Sequence, residues 1–78
     1  MDRVELFQRI EGKRLLITKG SNHIETEIPV RISLDGEIQW NNCSILPEWD
    51  SVEEIVELDD DMFSFIDNGI EVVITTLD

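Results

Sequence analysis

Met62–Thr76, MFSFIDNGIEVVITT, is the stretch on which the fold of this chain turns. Asn68-Gly69 at its centre is the dipeptide best suited to the two left-handed residues of a tight hairpin turn, and apolar runs flank it on both sides. A two-residue loop there sets Phe65 against Val72 and Phe63 against Ile74, which collects the apolar side chains on one face. A helical reading competes. Ser51-Val52-Glu53-Glu54 has the form of a capping box, and a helix continued to Asp67 would gather nearly all its apolar residues within a half-turn arc, with Asn68-Gly69 as its stop. Propensity decides for the hairpin, because Asp59 to Asn68 is dense in Asp, Phe and Ser, all weak helix formers. Residues 51–58 are then left as two helical turns from Ser51 to Leu58, or as a strand.

Upstream, Ile24 to Leu34 alternates strictly. Ile24, Thr26, Ile28, Val30, Ile32 and Leu34 fall on one side and Glu25, Glu27, Pro29, Arg31 and Ser33 on the other, the pattern of a strand with one buried face. Pro29 cannot donate to a ladder, so it predicts an edge position or a bulge. A loop at Gly20-Ser21 pairs Ile17 with Ile24 and Leu15 with Thr26. A three-residue loop, Leu34-Asp35-Gly36 with Gly36 left-handed, pairs Ile32 with Ile38 and Val30 with Trp40. These three strands predict a meander, followed by a turn at Asn41-Asn42-Cys43-Ser44. At the start of the chain, Asp2 to Glu11 reads as a short helix with Asp2 as N-cap, Glu5 at the capping-box position and Gly12 after its end, while the alternation of Val4, Leu6, Gln8 and Ile10 leaves a strand as the alternative.

The expected fold is therefore α+β, a single domain over residues 1–78. It contains a small antiparallel sheet of about five strands, arranged as a meander and barrel-like if strongly curled, with one or two short helices. The likeness to SH3-like or Sm-like barrels is architectural and carries no function. One of the tryptophans, Trp40, is expected in the core opposite Val30. Burial of Trp49 as well is favoured over an exposed interface role.

The charge is distributed unevenly. The chain of 78 residues has six Lys and Arg against eighteen Asp and Glu, a net charge of −12. All six bases (Arg3, Arg9, Lys13, Arg14, Lys19 and Arg31) precede Ile32, and the 47 residues from Ile32 onward hold thirteen acids with no Lys, Arg or His. A field of one sign speaks to partners rather than to fold. It disfavours direct binding of nucleic acid, whose phosphates are neutralised mainly by Lys and Arg, and of anionic lipid. No apolar run reaches the length of a membrane-spanning helix and no signal-peptide core is evident, while the lone Cys43 permits no internal disulfide. These features together predict a cytoplasmic protein.

Chemistry finds little purchase. His23 at a turn and Cys43 in a polar segment are the only base and thiol of their kind, and the ordinary reading of each is a surface or semi-buried residue. Asp59-Asp60-Asp61 does not open an EF-hand loop, since the sixth residue is Ser64 and the twelfth Ile70. No Cys/His cluster suits zinc, and the four glycines stand singly where turns or caps explain them. The expectation is a non-enzymatic protein without cofactor or metal.

What remains is the acidic segment. Glu53, Glu54, Glu57, Asp59, Asp60, Asp61 and Asp67 are the candidate partner-binding residues. A solvated, solubilising face is the plain reading of such a run. Against it, mixed charge would serve solubility equally, and carboxylates two apart on a strand or four apart on a helix stand about 6 Å from one another, near the spacing of phosphates along a nucleic-acid strand. The expected partner is a basic protein surface that handles nucleic acid. In size, acidity and lack of catalytic signatures the chain resembles the small proteins with which phages and mobile elements block host defences, anti-CRISPR and anti-restriction DNA mimics among them. The resemblance lies in general properties and carries over no residue roles. Two other classes fit the same features: an immunity protein or antitoxin covering a basic nuclease toxin, and a small subunit joining a larger assembly through the strand that contains Pro29. The protein is expected to be a monomer or a small homo-oligomer.

Overall fold

The computed structural model describes residues 1–77. A helix α1 (Arg3–Ile10) is followed by strands β1 (Leu15–Lys19), β2 (Asn22–Glu25), β3 (Arg31–Ile32), β4 (Ile38–Trp40) and β5 (Cys43–Ile45). A 3-10 turn at Trp49–Ser51 leads into β6 (Ile55–Asp59), β7 (Met62–Asp67) and β8 (Ile70–Thr76). All strand pairs are antiparallel, and they form a five-stranded sheet in the order β2-β1-β8-β7-β6 and a three-stranded sheet in the order β3-β4-β5. The fold is α+β, as the sequence predicts.

The β7–β8 hairpin forms about Asn68-Gly69, whose φ angles of 55° and 79° are the paired left-handed conformation that the dipeptide favours. Its register places Phe65 opposite Val72 and Phe63 opposite Ile74. β8 then pairs with β1, Ile17 facing Ile74, and the β1–β2 hairpin sets Ile17 against Ile24. The resulting inner face carries Leu15, Ile17, Ile55, Phe63, Phe65, Val72 and Ile74, all buried. Leu6 and Ile10 of α1, Val30, Ile38, Trp40 and Trp49 complete one continuous core. Helix and small sheet thus cover a single face of the large sheet. Both tryptophans are buried.

The regular strand expected over Ile24–Leu34 does not form. β2 ends at Glu25, Glu27 turns left-handed at φ 64°, and the chain re-enters strand conformation only at Arg31, in the other sheet. Thr26 makes the corner. Its buried hydroxyl accepts from the Leu15 amide at 3.0 Å and donates to the Ile28 carbonyl at 2.8 Å, replacing ladder bonds that Pro29 cannot extend. Ile24, Ile28 and Leu34 are consequently exposed in spite of their alternation. The three strands read as one meander are divided between two sheets, and Pro29 lies outside every strand, so it offers no edge for addition to another sheet. The large sheet is open, with β2 and β6 at its edges, rather than closed into a barrel.

The β3–β4 register is the expected one, Ile32 opposite Ile38, with Gly36 left-handed at φ 87°. Asn41 and Asn42 alone form the next turn, Asn41 at φ 52°, and Cys43 and Ser44 already belong to β5. No helix spans 51–58. Only the 3-10 turn at Trp49–Ser51 is helical, and Ile55–Asp59 is a strand whose Ile55 faces Phe65. Pairing with β7 and burial of Trp49 and Ile55 override the local capping signal. α1 forms as expected, with an Asp2 carboxylate oxygen accepting from the Glu5 amide at 2.8 Å. Among the described residues no helix is long and apolar enough to cross a membrane.

Candidate functional site

The acidic segment folds as a connector, an edge strand and a hairpin tip. Glu53 and Glu54 lie in the extended link before β6, Glu57 and Asp59 on β6, and Asp60 and Asp61 in the turn to β7; all six are exposed. The pairing shifts between Glu57 and Asp59, so Leu58 is an extra residue that bends the strand just before its tip. The tip is held firmly. An Asp59 carboxylate oxygen accepts from the Asp60 amide at 2.8 Å, and the Asp61 carbonyl accepts from the Thr76 amide at 2.8 Å. Arg9 of α1 donates to the Asp60 carbonyl at 2.7 Å, meets the Glu57 carboxylate at 3.3 Å and lies 5.1 Å from the centre of the Phe63 ring. Backbone anchoring leaves the Asp60 and Asp61 side chains in water.

Two of the seven sequence candidates differ from the rest. Asp67 is buried at 4% exposure; one of its oxygens accepts from the Glu48 amide at 2.9 Å and the other meets Lys19 at 3.2 Å. It braces β7 against the Pro47–Trp49 segment and presents no carboxylate to a partner. Glu57 is partly neutralised by Arg9, a residue 48 positions away in sequence. Open negative charge is therefore concentrated at Glu53, Glu54, Asp59, Asp60 and Asp61. β6 is also less uniformly acidic than its sequence implies, because Val56 and Leu58 are exposed between the acids.

The other candidates for chemistry lie apart. His23 is on β2 of the large sheet, its Nδ1 3.2 Å from the Thr18 hydroxyl, and Cys43 is exposed on β5 of the small one. Among the described residues no three His, Cys, Asp or Glu side chains converge as a metal site would require.

A second feature has no counterpart in the sequence reading. Between α1, the β3–β4 loop and the Leu46–Asp50 segment runs a groove of about 670 Å³. Its floor holds Phe7 and Trp49, whose rings meet edge to face at 5.2 Å, and Trp49 in turn meets Phe65 in a tilted contact with ring centroids 5.1 Å apart. Three segments distant in sequence build it, and only the exposed Leu34 at a loop tip, a position where polar residues are usual, could have signalled it.

No protein family model, no curated protein and no solved structure matches the chain.

Proposed function

We propose that this protein is a non-enzymatic acidic binding protein that occupies a basic nucleic-acid-binding surface of another protein, in the manner of the DNA-mimic inhibitors carried by phages and mobile elements. The observation that supports this reading most is the braced hairpin tip. Asp59, Asp60 and Asp61 stand on backbone fixed by Arg9 and Thr76, with Glu53 and Glu54 at the other end of the same edge strand. Carboxylates carried on a fixed backbone meet a basic groove with only side-chain freedom left to lose, and their field raises the rate of encounter. A merely solvated run needs no such bracing.

The test is capture of partners from extracts of the encoding host, at low and high salt, by the protein and by a variant with Asp59, Asp60 and Asp61 replaced by Asn. The expected result is recovery of DNA- or RNA-handling proteins at low salt, diminished at high salt and in the variant. Recovery that ignores both salt and substitution would return the acids to a solubilising role.

A further inference from the structure

The groove beside α1 is apolar within and acidic at its rim. Leu34, Val4 and Leu46 border it at 107%, 60% and 55% exposure, so none of the three contributes appreciably to the core. Single exposed apolar residues are ordinary, but three about one concave site lined by Phe7 and Trp49 form a contiguous patch of the kind that marks interaction sites. Around it stand Glu11, Asp35, Glu48 and Asp50, all exposed, with Arg3 the one cation in the lining among the described residues. Arg3 is itself drawn 3.7 Å from Asp50.

We infer that this groove binds a basic polypeptide segment, with one or two large apolar side chains seated against Phe7, Val4, Leu34 and Leu46 and flanking Lys or Arg residues meeting the acidic rim. Charge complementarity selects this occupant. The rim acids come from α1's C-terminal cap, the β3–β4 loop and the segment before and within the 3-10 turn, so they address a chain of several charges rather than one ion. Phosphate-bearing ligands are repelled. A second copy of the chain, at net −12, would bring the same sign to the same place. The groove's lining includes none of Glu53, Glu54, Glu57 or Asp59–Asp61, and the inference does not depend on the function proposed for those residues.

The test is selection of a random twelve-residue peptide library on the folded protein, followed by affinity measurement of the enriched peptides. Enriched sequences should pair a large apolar residue with flanking Lys or Arg. They should bind a Leu34→Ser, Leu46→Ser double variant at least about tenfold more weakly, and an Asp35→Asn, Glu48→Gln double variant several-fold more weakly. Both pairs are solvent-facing, so circular dichroism should show unchanged folding. Peptide addition should move the indole N–H resonance of Trp49 and leave that of Trp40 in place. Failure to enrich such peptides, equal binding by the leucine variant, or a homodimer abolished by that variant would overturn the inference.

Discussion

The indole N–H of Trp49 donates to the Gly36 carbonyl at 2.8 Å, and the same indole fills the space in which a Cβ on Gly36 would stand, 2.6 Å from Nε1. This contact locks the β3–β4 loop onto the 3-10 turn, and through Phe7 and Phe65 it ties both to α1 and β7. Gly36 is thus required twice, for its left-handed φ of 87° and for its lack of a side chain.

Gly36→Ala should therefore destabilise the fold by about 3 kcal/mol, combining a left-handed Cβ with displacement of the indole. Urea unfolding monitored by circular dichroism reads this directly. A loss well under 1 kcal/mol would mean that the loop and Trp49 are not coupled in this way.

Thr26→Val keeps the shape of a buried side chain but removes the hydroxyl that serves Leu15 and Ile28. Leaving those backbone groups unpaired should cost about 2 kcal/mol, whereas Thr26→Ser should retain most of the stability. Equal stability of the two variants in urea would show that the corner does not depend on the hydroxyl.

Asp67 and Asp60 should separate cleanly. Asp67→Ala strips the Glu48 amide of its acceptor in a largely buried site and should lower stability by about 2 kcal/mol. Asp60→Asn removes one exposed charge from a chain of net −12 and should leave stability unchanged or slightly raised. Thermal unfolding of both variants in the same buffer is the comparison, and similar losses would contradict the distinction between a bracing and a displayed carboxylate.

The sequence made the hairpins legible and the corner illegible, for physical reasons that particular residues show. Asn68-Gly69 and Gly20-Ser21 set register locally, and their apolar neighbours confirm the same choice, so Phe63–Ile74 and Ile17–Ile24 were predictable pairs. Ile24 to Leu34 misleads because its alternation continues through a point where the Thr26 side chain, a left-handed Glu27 and Pro29 redirect the backbone into a second sheet. The Ser51 capping box misleads because burial of Trp49 and the pairing of Ile55 with Phe65 outweigh a local signal. Within the acidic segment, exposure of Glu53, Glu54 and Asp59–Asp61 was readable from composition. The burial of Asp67 and the pairing of Glu57 with Arg9 were not, since they depend on partners 19 and 48 residues away.

Self-repulsion should be visible in solution. At neutral pH, raising monovalent salt from about 0.01 M to about 0.5 M shortens the screening length several-fold and should raise the midpoint of thermal unfolding. A midpoint that falls with salt would mean that attractive pairs such as Arg9–Glu57 and Lys19–Asp67 outweigh the repulsion among the remaining acids.

The central claim is that the acidic strand takes the place of nucleic acid on a partner. It is tested most directly by competition: a nucleic-acid-handling protein captured from the host is loaded with a fluorescently labelled oligonucleotide, and anisotropy is followed as the protein is added. Wild type should release the oligonucleotide, and the Asp59→Asn, Asp60→Asn, Asp61→Asn variant should need at least about tenfold higher concentration to do so. An unchanged anisotropy while both ligands remain bound, or equal displacement by the variant, would contradict the claim.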